Sequence, residues 1–368
     1  MIQMSGGDFE MDYDQERTYY RGNCIEYDVS DIFQMMVDCA LEPRSVLAAN
    51  VARSKNQKSH DLHHHLAKFD PFIDNTESLL RTAYGVQGLG MPRLGLEKNV
   101  GNIDARLMQK FMMDNITPGK CLIVANGVQS HNEFVALAKE RLGELLPVPE
   151  HEYGRTASEY IGGETRTWTE TPNTSITVAF ESVPWQAKET PAFFVMNTLI
   201  GSAQGFSAGG PGKGMHCRAI NNVMAQYNFV DNAAGVNSHF TDSGLWGMTL
   251  EGPASHSKDL MYVLLQELHR LREPIPDEEL VRAKNILKMN ILQTLEKSDH
   301  RLEEVAKNYM TFGTLTHTQY LDAIESVTSE QINAAASKAL EGKPTVVVQG
   351  SAINQVPSIG DIQKMLSS

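Results

Sequence analysis

The chain has 368 residues, 41% hydrophobic and 21% charged, a globular composition too long for one ordinary core, so two domains are expected. Its formal charge of −13 argues against nucleic acid and towards soluble partners or basic ligands. No run reaches the roughly 18 apolar residues of a membrane span, since the best candidate, "TPAFFVMNTLIG", is broken by Asn197 and Thr198.

The opening residues carry five acids before the first arginine, Arg17, so no Arg-rich transit peptide is expected in them. Cys24, Cys39, Cys121 and Cys217 form no C-x-x-C pair and read as reduced structural thiols. The first patterned stretch is "FEMDYDQERTYYRGNCIEYDVSDIFQMMVDCAL". It predicts a strand, a turn around Asp14, a second strand, and a helix with Ile32, Phe33, Met36, Val37 and Ala40 on one face.

"SHDLHHHLAKFD" follows, with His60 and His64 four apart and Asp61 and Asp70 nearby. Two histidines on one helix face suit zinc, but no acid stands where a general base would. A solvated surface or partner contact is the reading preferred. "ARLMQKFMMDNITPGKCLIVANG" then predicts helix, turn, apolar strand and a closing Gly127. Prolines and mixed charges in "LPVPEHEYGRTASEY" mark a junction.

Beyond the junction, "GGETRTWTETPNTSITVAFESVPW" alternates over Ser175 to Phe180 as a strand does. Next comes "GSAQGFSAGGPGKGMHCR". It holds neither phosphate-binding glycine motif, and Lys213 precedes Gly214 where a magnesium-binding hydroxyl would be needed. Glycine permits close approach of another chain to the backbone. One reading is therefore a loop over a cavity, holding an extended peptide through its N–H and C=O groups; the other is a surface linker. His216 and Cys217 are adjacent and cannot easily form a nucleophile–base pair, so packing under the loop is expected.

The element order then repeats. "VNSHFTDSGLWGMTLEGPASHSKDLMYVLLQELHRL" predicts a hairpin turning at Asp242 and a helix lined by Leu260, Leu264, Leu268 and Leu271, with Phe240 and Trp246 in the core. Arg282 in "LVRAK" reads as a helix-face ion-pair partner. "SEQINAAASKALEGKPTVVVQG" is again helix, turn, apolar strand, glycine, with a Thr328–Gln331 capping box and Gly342 at the helix end. One α+β unit is used twice, at an offset of roughly 225 residues. The second copy has roughly 80 residues between Gly162 and Asp242, where the first has only 13 before Asp14. The first repeat lacks its opening segment, and some other polypeptide segment is expected to take its place, since a bare sheet edge and an uncovered apolar face are costly.

"FSAGGPGKGM" followed by "NNVMAQYNFVDNAAGVNSHFTDSGLWGM" closely resembles the α-subunit family of the mitochondrial processing peptidase. That family lies within the pitrilysin-type zinc metallopeptidases and is related to the core proteins of respiratory complex III. The resemblance extends along "YIGGETRTW", "EELVRAKNILKMNILQTLE" and "GKPTVVVQG", and more weakly along "GGDFEMDYDQERTYY" and "AYGVQGLGMPRLG". It implies an α+β fold of two tandem homologous domains, each a mainly antiparallel sheet with helices on one face. Their expected extents are 1–146 and 162–368 around a linker 147–161, the first domain lacking its N-terminal segment.

The resemblance also implies a function: a non-catalytic α-type subunit that recognises presequence peptides through the glycine-rich loop 201–215. The residues it assigns are Gly201, Gly205, Phe206, Ser207, Gly209, Gly210, Gly212, Lys213, Gly214 and Met215. The family loop opens with four glycines and a serine; here those positions read Gly201, Ser202, Ala203, Gln204 and Gly205, and the added Cβ atoms narrow its conformational range. Neither H-x-x-E-H nor H-E-x-x-H occurs in the chain, so no metal and no cofactor are expected, zinc belonging to a catalytic β-type partner. The expected partners are that β-type subunit, other complex III subunits, presequence peptides and the segment completing the first domain. The expected place is the mitochondrial matrix, or the matrix side of the inner membrane. The competing role is a purely structural core subunit of complex III.

Overall fold

The computed structural model describes residues 6–41, 71–93, 95–142, 157–205, 216–313 and 318–367. The His60–His65 cluster, the linker residues 147–156 and Phe206 to Met215 lie outside them. The chain divides into two units, one from residues within 1–71 and 92–156, the other from 72–91 and 157–368. Segment 72–91, expected with the first domain, thus belongs to the second unit.

In the first unit, β1 (Asp8–Tyr13) and β2 (Thr18–Asn23) pair antiparallel, Asp8 opposite Asn23. The Asp14 carboxylate closes the turn, accepting from the N–H groups of Glu16 and Arg17. Helix α1 (Val29–Leu41) lays Ile32 and Met36 on Gly22, where a Cβ would lie 2.8 Å from Ile32, so only glycine fits. Ile32 and Phe33 are buried, as their spacing predicts.

After α2 (Pro71–Tyr84), which belongs to the second unit, the first unit resumes with α3 (Ala105–Asn115) and α4 (His131–Leu142). Asp104 caps α3 by accepting from Leu107 N–H. Phe134 of α4 meets Phe33 with ring centroids 5.3 Å apart. The strand expected over Cys121–Gly127 does not form. Those residues run without a ladder, because no strand lies beside them among the described residues.

The second unit holds a six-stranded sheet in the order β3-β8-β4-β7-β6-β5. Its strands are β3 (Gly163–Trp168), β4 (Asn173–Glu181), β5 (Ser202–Gln204), β6 (Asn232–His239), β7 (Gly244–Pro253) and β8 (Thr345–Gly350). Only the β3–β8 pair is parallel. The fold is therefore α+β with an antiparallel-dominated sheet, as expected.

Alternation divides the side chains of this sheet between its two faces. Ile176, Val178 and Phe180 of β4, Trp246, Met248 and Leu250 of β7, and Val346 and Val348 of β8 enter one cluster. Helices α5 (Thr190–Ile200), α6 (Ser257–His269), α7 (Asp277–Glu296) and α10 (Ser329–Leu340) close over it, and Leu260, Leu264, Leu268 and Leu271 are all buried there. Between α7 and α10 run α8 (Ser298–Phe312) and α9 (Thr318–Glu325), and α11 (Ile359–Ser367) ends the chain.

Ala179, Leu245 and Val347 face the other way, onto Leu79, Leu80, Ala83 and Tyr84 of α2. This sheet is thus covered on both faces, where one was expected. The buried Tyr84 hydroxyl donates to Ser243 Oγ at 3.0 Å, and burial pushes its pKa up. Phe240 packs against this second cluster, partly buried.

The Thr328–Gln331 capping box is complete. Gly342 is not left-handed, and its N–H returns to Ala339. Gly127 and Gly350, which close the two repeats, both have positive φ, 81° and 147°. No helix among the described residues is long and apolar enough to cross a membrane.

Candidate functional site

Of the ten loop residues assigned by resemblance, Phe206, Ser207, Gly209, Gly210, Gly212, Lys213, Gly214 and Met215 lie outside the described residues. Gly201 and Gly205 are described, together with both roots of the stretch between them and His216. The outgoing root starts where α5 stops. Gly201 donates to Asn197 O at 2.8 Å and turns with φ 68°. A Cβ there would lie 2.4 Å from the Cβ of Cys217 and 2.7 Å from its sulfur, so glycine is required twice over, by conformation and by space.

Ser202, Ala203 and Gln204 then form β5, an edge strand on Asn232–Ala234 of β6. The Cβ-bearing residues that interrupt the glycine run are thus sheet, since side chains with a Cβ tolerate extended backbone better than an unrestrained loop. Gly205 N–H holds Asp231 O at 2.7 Å, and Gly235 N–H holds Gly201 O at 2.9 Å.

The returning root is held by charge. His216 offers its carbonyl to Arg282 at 3.4 Å, so Arg282 serves the root rather than the ion pair expected of it. Cys217 is buried, its sulfur 3.8 Å from Ser202 O, and packs against the Gly201 turn. Arg218 makes a forked pair with Glu279 of α7, Nε to Oε1 at 2.7 Å and Nη2 to Oε2 at 3.0 Å. Burial works against its charge, but Glu279, Glu267 and Glu273 outweigh it and hold the guanidinium charged.

Glu267 of α6, almost fully buried, lies 4.0 Å from Arg218 and also accepts from Asn222 at 3.0 Å and Arg270 at 3.1 Å. Burial pushes its carboxyl up, against the pull of those three partners. Removing one partner of such a buried pair costs about 3–5 kcal/mol, because the other is left charged and unpaired. Sequence reasoning missed Arg218, Glu267 and Glu279; the single legible signal was a lone arginine directly after the glycine-rich stretch. A wide π-type turn, Ala219–Met224, carries the chain from Arg218 back into the core.

Beside the returning root, an open groove of about 700 Å³ runs along α7. Val281, Ile286 and Met289 give it an apolar floor, while Asp277, Glu278 and Arg282 supply charge. Two acids and one arginine thus border an apolar stripe. Among the described residues no group of three His, Cys, Asp or Glu side chains converges.

The two roots of the glycine-rich stretch are thus anchored on a six-stranded sheet packed beneath helices. The family model described as "Peptidase M16 inactive domain" matches residues 102–287, and the chain belongs to that family. It is a non-catalytic, peptidase-like polypeptide.

The alpha subunit of the mitochondrial-processing peptidase of Solanum tuberosum is 25% identical, over all of this chain and 72% of its own length. The Homo sapiens alpha subunit is 24% identical at the same coverages. The beta subunit of Bos taurus is 27% identical over 76% of this chain and 57% of that one. A chain of complex III2 from Candida albicans superposes with a TM-score of 0.82 over 98% of this chain and 86% of its own, at 16% identity, a likeness of fold. The relatives are mitochondrial proteins, and the mitochondrion is the compartment of this chain.

Proposed function

We propose that the chain works as the α-type, non-catalytic subunit of a mitochondrial processing peptidase. In this role it holds presequence peptides between the glycine-rich stretch, Gly201 to Met215, and the groove on α7. It also serves as a matrix-side core subunit of complex III, beside a β-type partner that carries the zinc. The observation that carries this reading is the groove, apolar through Val281, Ile286 and Met289 and acidic through Asp277 and Glu278, joined to the loop root by Arg282. A presequence is basic and amphipathic, so one face meets the apolar floor and the other the acids. Met215, soft and unbranched, suits varied apolar faces.

One observation favours the competing role of a purely structural core subunit. The front of the stretch, Ser202–Gln204, is committed to β5.

Deleting Phe206 to Gly212 from the subunit, with its β-type partner present, separates the two roles. The expected outcome is at least a tenfold loss of affinity for a fluorescent presequence peptide, with assembly intact. Unchanged affinity with impaired assembly would leave the structural role alone standing.

A further inference from the structure

His239 ends β6 opposite Gly244 of β7 and is 6% exposed. Its imidazole sits among aromatic rings, with centroids 5.0 Å from Phe194, 5.4 Å from Trp185 and 6.1 Å from Phe193. Nδ1 lies 2.6 Å from the carbonyl oxygen of Val183, which can only accept, so Nδ1 carries the proton. Nε2 is left as an acceptor, buried and without a hydrogen-bond partner among the described residues. One nitrogen is committed to the neutral form, and the other is placed to take a proton.

What that bond holds is the connection between β4 and α5. Residues 183–189 form neither strand nor helix, and a few contacts fix them. To the sheet they are tied by His239 and by Trp185 N–H, which donates to Phe240 O at 3.0 Å. To α8 they are tied by Gln186 Nε2, which donates to Thr311 O at 2.5 Å, and by the Lys307 ammonium, 3.9 Å from the centre of the Trp185 ring. Trp185 thus touches both the cation of α8 and the imidazole of β6.

The charges around the ring decide how it answers a proton. The connection supplies the Val183 carbonyl, and α5 supplies the rings of Phe193 and Phe194. Helix α9 approaches through Tyr320, whose ring meets Phe194 at 5.9 Å and whose hydroxyl is kept neutral by burial. Helix α8 brings the one charge that acts on the imidazole among the described residues, Lys307, with Glu304 3.8 Å from it. A positive charge on the ring would be desolvated, would face Lys307 and would leave its new N–H without an acceptor. Stacking on Phe194 and Trp185 offsets part of that cost by cation–π attraction, but Lys307 already engages Trp185. Burial, joined by Lys307 and opposed by the Val183 bond, holds the pKa of His239 below the ordinary histidine value.

We propose that His239 is a proton-operated latch on residues 183–189. With the ring neutral, the segment is clipped between β6 and α8. When Nε2 takes a proton, the bond to Val183 breaks, the imidazolium turns to water, and Trp185 leaves the ring stack and lifts from α8. The open state binds the proton more tightly than the closed one, so opening grows as pH falls through about 6.5. The inference does not rest on the subunit role proposed above.

Amide hydrogen exchange of the full chain, corrected for the intrinsic rate at each pH, reads the latch. Between about pH 7.5 and about pH 5.5, protection of the Trp185 amide is expected to fall about three- to tenfold, while residues 346–348 in the sheet interior hold theirs. His239→Asn keeps a donor for Val183 O, does not titrate, and is expected to flatten the profile. Lys307→Met removes the facing charge and is expected to shrink the fall. The imidazole NMR signal of His239, which needs no variant and stands even if His239→Asn fails to fold, is expected to titrate below about 6.5. Unchanged protection in the unsubstituted chain, an equal fall in His239→Asn, or a His239 signal titrating at or above about 6.5 would overturn the inference.

Discussion

Residues 119–127 and 342–350 are written almost alike, Gly-Lys at one end, glycine at the other, and an apolar run between. Yet every residue of the second run, Thr345–Gly350, is buried within a sheet, while the first joins no sheet among the described residues. The difference teaches that apolar, β-branched sequence makes a segment ready to be a strand, and a neighbour makes it one. A ladder needs a backbone partner at about 4.8 Å on at least one side, and for these segments it comes from distant chain. The helices before the two segments form regardless of neighbours, because their hydrogen bonds and caps are local. Even so, α3 has no buried residue and α10 has five.

The largest expected effect comes from placing a charge in each segment. Val346→Asp buries an unpaired carboxylate and should cost the second unit more than about 4 kcal/mol. Ile123→Asp at the matching position should change the isolated chain's stability by no more than about 0.5 kcal/mol. Urea unfolding followed by tryptophan fluorescence reads the second unit selectively, since Trp168, Trp185 and Trp246 all belong to it. Equal sensitivity at the two positions would break the comparison.

A smaller contrast is expected between the helices that follow the two hairpins. Leu264→Ala opens a cavity under α6 and should cost about 2–5 kcal/mol. Met36→Ala, at the corresponding place on α1, should cost about 1 kcal/mol or less, because Met36 is only partly buried.

The helix caps should show no contrast. Thr328→Ala and Asp104→Ala each remove one side-chain acceptor from a helix N-terminus, and each should cost about 1 kcal/mol. A cap effect confined to the second unit would mean that tertiary context, not local bonding, holds α3.

The smallest effect concerns Glu267, whose counterpart on α1 is the exposed Cys39. Burial raises its folded pKa above the unfolded one. Its protonated form therefore favours the fold at low pH, and that contribution is lost as pH rises through the folded value. Glu267→Gln is neutral throughout, so the stability difference should shift towards the variant between about pH 5 and about pH 7. Thermal unfolding midpoints of both proteins at the two pH values check the sign.

The sequence by itself determined what depends on near neighbours. The 3.6-residue spacing placed Leu260, Leu264, Leu268 and Leu271 on one helix face, two-residue alternation marked β4, and Thr328 with Gln331 announced a cap. The repeated order of patterns and the absence of H-x-x-E-H were legible because both are matters of order along the chain. Tertiary structure alone decided what depends on distant partners. It left Cys121–Gly127 outside any sheet of the described residues, laid α2 across the second face of the sheet, drew Ser202–Gln204 into β5, and brought Arg218 to Glu279 and Glu267. Burial and pairing are set by which surfaces meet across tens or hundreds of residues, and no local pattern carries that information.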